Sequence, residues 1–181
     1  IHTHVTGPNV PKPHAPPPDF WPAKACPNGM TLPSLLASYM LMLPGKKVEP
    51  LIFASPSKRF DVEKGNEYVA GQAREFGLHD LILTWPTWSV SELERRVEEG
   101  GFLGLKPYHV MVEGKSTNEI EIFDMLPREH LELADKKMWL IILHIPRPAR
   151  LDDPVNIRQL LDIDGKYPNA KVVVAHVGRS Y

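Results

Sequence analysis

One cysteine, Cys26, stands among 181 residues. No disulfide can form within the chain, and a reducing, cytoplasmic setting is the simpler expectation. Cys26 lies in a proline-rich stretch with no adjacent base, so it is not read as a nucleophile. Charge of one sign is also missing. Lys and Arg number 21 against 22 Asp and Glu, a net charge of -1, which gives no electrostatic case for nucleic acid or an anionic membrane as partner. No apolar run approaches the ~20 residues a membrane helix needs. Neither common glycine-rich phosphate loop occurs, and no signal-peptide pattern is visible. What is present is 43% hydrophobic and 24% charged residues, the profile of a globular domain with a core. The 19 prolines, many of them before position 60, point to long shaped loops.

A unit of helix, short turn and short apolar strand then recurs. The pattern predicts a helix over Thr31 to Met42 and a strand over Glu49 to Ala54. Asp61 can cap a second helix running to about Phe76, with Gly77 as its stop and a strand over Asp80 to Thr84. Ser91 and Glu94 have capping-box spacing for a third helix, closed by Gly100 and Gly101 and followed by a strand over Phe102 to Lys106. A helix from near Pro127 leads to the strand Trp139 to His144. Another, opened by Asp153 and Pro154, leads to Lys171 to His176. With "IHTHV" at the start there are six strands. They are near-continuous apolar runs, the mark of parallel strands covered on both faces.

Strands alternating with helices mean βα units joined by right-handed crossovers. The two candidate architectures are a (β/α)₈ TIM barrel and an open doubly wound sheet. A barrel takes typically ~250 residues and about 200 at the least. Residue 1 falls in mid-strand and Tyr181 just past a strand. The chain is therefore expected to be one barrel domain over 1–181, incomplete at both ends and holding strands 1 to 6.

Position makes the polar residues informative. His2 and His4, Lys106, His144 and His176 all fall at C-terminal ends of predicted strands. In a parallel α/β fold those ends form one face, where sites are built. His2 and His4 are two apart, so on a strand they point to one side and can offer two nitrogens to one ion. With His144 and His176 on the fifth and sixth strands, a metal site is the favoured reading over separate structural histidines. A lysine at an inner strand end is costly unless paired, neutral or modified. Lys106 is read as a carboxylated metal bridge, a cation for an anionic substrate, or a side chain reaching solvent. His109 is read as facing the mouth or as a loop histidine. Arg147 and Arg179 suit a substrate carboxylate through bidentate contacts, with salt bridging as the alternative. His14, His79 and His130 are read as surface or packing residues. Trp85 and Trp88 are read as pocket wall or core.

"IHTH", "GFLGLKPYH", "LHIPR" and "AHVGR", in that order and spacing over the whole chain, resemble the amidohydrolase superfamily, in particular its amidohydrolase-2 branch of metal-dependent TIM-barrel hydrolases. The resemblance implies a (β/α)₈ barrel and a divalent ion, Zn²⁺ first, as one ion or two. It implies His2, His4, His144 and His176 as ligands and Lys106 at the position of a carboxylated lysine. The family's last ligand, a strand-eight aspartate that also moves the proton, falls outside this chain; Asp162 and Asp164 are poor substitutes. The implied reaction uses a metal-activated water to cleave an amide, lactone or ester in a small carboxylate-bearing substrate, with Lys106 and His144 as catalytic groups and Arg147, Arg179 and His109 holding substrate. A non-oxidative decarboxylase of the same superfamily is the second reading. A non-catalytic barrel-derived binding protein is the third. The expected partner is a small molecule; association into a homo-oligomer stays open.

Overall fold

The computed structural model describes residues 1–8, 12, 24 and 29–179. Cys26 and His14 lie outside the described residues, as does the side chain of Arg179. The chain divides into two compact units, Ile1–Leu83 and Thr84–Tyr181.

The first unit holds β1 (His2–Val5), α1 (Leu32–Met42), β2 (Leu51–Ala54), α2 (Val62–Phe76), β3 (His79–Asp80) and β4 (Ile82–Leu83). Strands β1, β2 and β3 run parallel in that order. The register sets His4 opposite Phe53 and Ile52 opposite Asp80. The single strand predicted over Asp80 to Thr84 is two short pieces. Between them the Leu81 N–H donates to the Ile52 carbonyl at 3.0 Å. Helix α2 follows its sequence signals. The Asp61 side chain accepts from the Lys64 N–H at 3.2 Å, and Gly77 closes the helix at φ 64°, a left-handed value that glycine takes without a Cβ clash. Its buried residues Val62, Asn66, Val69, Ala70 and Ala73 recur at helical spacing on one face. Asn66 reaches β4 with both ends of its amide. It donates to the Leu83 carbonyl at 2.9 Å and accepts from the Leu83 N–H at 3.0 Å. Helix α1 is capped by Thr31 but buries only Leu32 and Leu35. Its far end leaves Met40, Leu41 and Met42 exposed at 78%, 84% and 74%.

The second unit holds α3 (Val90–Gly100), β5 (Gly104–Lys106), α4 (Ile122–Met125), α5 (Arg128–Lys137), β6 (Leu140–Leu143), α6 (Pro154–Lys166) and β7 (Lys171–Val174). Strands β5, β6 and β7 are parallel neighbours. Helix α3 starts two residues earlier than its expected cap. Ser89, not Ser91, accepts from the Glu92 N–H, at 3.2 Å. The frame that starts at Ser89 buries Leu93 and Val97, one turn apart. Helix α4 has a capping box of its own, from Glu121 and Asp124, which the sequence reading did not pick out. Helix α6 begins as expected, with the Asp153 side chain accepting from the Val155 N–H at 2.9 Å and Pro154 in the first turn.

Strand β6 is buried along Ile141, Ile142 and Leu143. Strand β7 departs from the expected two-sided burial: Val173 is 48% exposed and Val172 and Val174 are half-buried. Leu160, Ile163, Tyr167, Val172 and Val174 line a cavity of about 280 Å³ beside it, so α6 covers that face only loosely.

Gly104 faces the β6 backbone with no room for a side chain. A Cβ there would collide with the Leu140 backbone carbonyl, which cannot move without breaking the strand pair. Gly104→Ala is therefore expected to destabilise the protein by about 2–3 kcal/mol, as overpacking does in a filled interior. A urea midpoint unchanged from wild type would show that the strands can part at no cost.

Candidate metal and catalytic site

Both imidazoles of β1 lie against one ring of β2. The His2 ring stacks on Phe53 with centroids 5.8 Å apart and 27° between planes. His4 meets the same ring edge-on, at 4.5 Å and 89°. The two histidines therefore share a side of the strand, as their spacing predicts. His4 Nδ1 lies 3.2 Å from the Ala54 carbonyl oxygen. A carbonyl only accepts, so Nδ1 carries the hydrogen, and in the neutral ring Nε2 keeps the lone pair. A backbone carbonyl that fixes the tautomer in this way is the usual support of a metal-ligating histidine.

In the second unit, side chains gather at the C-terminal ends of β5 and β6 and beyond β7. Lys106 ends β5 and is 1% exposed. Its Nζ donates to the Ile142 carbonyl at 3.2 Å and lies 5.4 Å from the centre of the Tyr108 ring. Pro107 carries the chain to Tyr108, and a 3-10 turn, His109–Met111, follows. The Tyr108 and His109 rings are stacked, 4.7 Å apart and 29° between planes. Tyr108 also lies 4.8 Å from the ring of His144, the residue after β6, which is 3% exposed. His144 in turn is 5.5 Å from the His109 ring and 5.7 Å from the His176 ring. The side chains in these contacts are an amine, a phenol and three imidazoles, so the cluster is built of nitrogen donors and a cation.

His176 is not on the strand, as the sequence reading had it. Strand β7 stops at Val174, and His176, Val177 and Gly178 have φ of 55°, 52° and 71°. The chain turns left-handed for three residues, and the two non-glycine ones cost of order 1–3 kcal/mol each. Runs of this kind hold side chains where strand alternation would not place them. Here the turn brings the exposed His176 edge-on to His144.

Arg147 has a partner within its own loop. Its Nε donates to Asp153 Oδ2 at 2.7 Å, tying the turn after β6 to the start of α6. The hydrogen bond from Arg147 is the main reason the Asp153 carboxyl titrates below its usual range. His130 is a buried packing residue. Its Nε2 donates to the Trp88 carbonyl at 2.8 Å, and Trp88 itself is in the core. His79 is exposed at the start of β3. Tyr108 was not among the residues singled out from sequence. Its signal was its place in "KPYH", an aromatic between a buried lysine and a histidine.

The amidohydrolase family model, of the amidohydrolase-2 branch, matches residues 1–181. The chain belongs to the amidohydrolase family. A crystal structure of an amidohydrolase II shares its fold, with a TM-score of 0.52 at 17% identity. The match covers 81% of this chain and 56% of the other, so the chain spans little more than half the length of that protein. No curated protein matches the sequence. The strands and helices of this family member are thus the α/β units of a (β/α)₈ TIM barrel, in parallel order as expected.

The residues of this chain fit a divalent ion in donor chemistry. Imidazole nitrogens suit a borderline ion such as Zn²⁺ better than a hard one. Two imidazoles on one tetrahedral ion, with metal–nitrogen bonds of about 2 Å, place their ring centres roughly 5 Å apart. The His144 and His176 rings, at 5.7 Å, are near that spacing. Among the described residues no group of three or more His, Cys, Asp or Glu is already gathered as ligands. No helix among them is long and apolar enough to cross a membrane.

Proposed function

We propose that this amidohydrolase chain belongs to a metal-dependent hydrolase that cleaves an amide, lactone or ester in a small carboxylate-bearing substrate. The observation that carries the proposal is the gathering of Lys106, His144 and His176 where β5, β6 and β7 end. His2 and His4 in the first unit, and His144 and His176 in the second, are the proposed ligands. Lys106 is either a further ligand or a cation for an anionic substrate. A divalent ion held by such residues supplies Lewis acidity and lowers the pKa of water toward ~7.

The chain's own side chains then have definite tasks. Lys106, buried and sharing the Tyr108 ring with His144, places positive charge where an oxyanion develops; His144 serves as a ligand or, if no metal takes it, as a donor to the same oxygen. His109, half-buried on its turn, is proposed to meet substrate. Arg147 and Arg179 are proposed to meet the substrate carboxylate. Arg147 does so only by sharing its guanidinium with Asp153. The stacked Tyr108 and His109 rings beside a cation favour one second reading, non-oxidative decarboxylation of a flat acid. The single cysteine supports a cytoplasmic setting.

The test is metal analysis of the purified protein, followed by a substrate panel of small carboxylate-bearing amides, lactones and esters with aromatic acids alongside. Stoichiometric Zn²⁺ and a hydrolysis product are expected; release of carbon dioxide instead would select the lyase. His144→Ala is expected to lower both metal content and rate by about 10–100-fold or more. A protein without stoichiometric metal, whose ligand binding survives His144→Ala, would be a binding protein.

A further inference from the structure

We propose that Tyr108 is the positioning residue of the second unit's cluster, and that its ring rather than its hydroxyl does this. The inference rests on the reading of His144 as a metal ligand only where metal affinity is the readout. Three functional side chains meet this one ring. Stacking on its plane sets His109, at 4.7 Å and 29°. A tilted contact at 4.8 Å limits how far the buried His144 imidazole can turn. The Lys106 ammonium lies 5.4 Å from the ring centre, where the negative face of the π-system attracts it. These residues come from β5, from the turn after it and from the end of β6. Tyr108 is the ring that all three of them meet.

The backbone limits where the ring can start. Pro107 has a locked φ, which limits the entry to the turn. Tyr108 itself is extended, at φ -146° and ψ 140°. To its three neighbours it presents a flat, half-buried surface. A residue without an aromatic face can fill the space but cannot hold an imidazole parallel to itself or attract an ammonium from above.

The test compares Tyr108→Phe with Tyr108→Leu in the purified protein. Tyr108→Met serves in place of the leucine variant should the latter not fold by circular dichroism. Crystal structures without metal are the first readout. The phenylalanine variant is expected to keep the His109 and His144 rings in place, and the leucine or methionine variant to release them. Zinc affinity by chelator competition is the second. It is expected to change less than about twofold for phenylalanine and to fall about tenfold or more for leucine, the usual effect of losing a group that orients a ligand. Rings that stay put in the leucine variant would overturn the proposal. So would a phenylalanine variant as impaired as the leucine one, since the hydroxyl would then be the working group. Rings that move only in the leucine variant of a protein that takes up no zinc would uphold the positioning role and refute the metal reading of His144.

Discussion

Lys106→Met is expected to reduce turnover by roughly a hundredfold to a thousandfold, the loss usual for one oxyanion-stabilising group, while leaving the fold as stable as before or more so. The two outcomes separate because the amine works against the fold. Lys106 is 1% exposed, and its ammonium is held by the Ile142 carbonyl at 3.2 Å and the face of Tyr108. A cation taken from water costs several kcal/mol, and replacing a buried ion with its partners by an apolar side chain of similar volume is often neutral or stabilising. Methionine has nearly the same length, no charge and a flexible thioether that fills the same channel. Steady-state rates and a thermal melt on one preparation check both halves. Retained activity with a lowered melting temperature would make Lys106 a structural tie between β5 and β6.

Asp80→Asn is expected to raise stability by about 1–3 kcal/mol at pH 8 and to leave it nearly unchanged at pH 4. Asp80 lies on β3, is 4% exposed, and its Oδ2 has no hydrogen-bond partner. Its register partner Ile52 alternates with Phe53, so Asp80 points to the opposite side of the sheet from His4. Burial pushes its carboxyl up to about 7, with the Arg74 guanidinium of α2 only partly opposing the rise. A carboxyl that binds its proton more tightly in the folded chain favours folding at low pH. That advantage is lost as pH rises from about 4, where the unfolded chain titrates, to about 7, where the folded one does. The full shift corresponds to at most about 4 kcal/mol, from which the cost of an unmatched buried amide must be subtracted. Urea midpoints at pH 5 and pH 8 should diverge for wild type and converge for the variant. Equal slopes with pH in the two proteins would show that Asp80 is ionised, and satisfied, throughout.

Much of this fold is written locally. Asp61, Gly77, Asp153 and Pro154 each mark a helix end by chemistry that acts within one turn, and each does so in the structure. Ser89 and Ser91 show the limit of such signals. Both begin a Ser-x-x-Glu frame, and the structure caps at Ser89. The strand-end lysine and histidines were legible because an apolar run that stops at a polar residue locates a strand end. The left-handed run at His176 was not, since Val177 is a residue type that avoids such a backbone. The pairing of Arg147 with Asp153 and the burial of Asp80 depend on what folds back against them, which a one-dimensional pattern does not hold.

The bare end of α1 has a bearing on chemical durability. Met40 and Met42 present their thioethers to solvent, at 78% and 74% exposure, whereas Met111 and Met125 are shut away at 2% and 1%. Peroxide reaches the first pair long before the second, and sulfoxide at Met40 or Met42 adds polarity where water already is. The helix tip therefore takes up oxidant ahead of the interior.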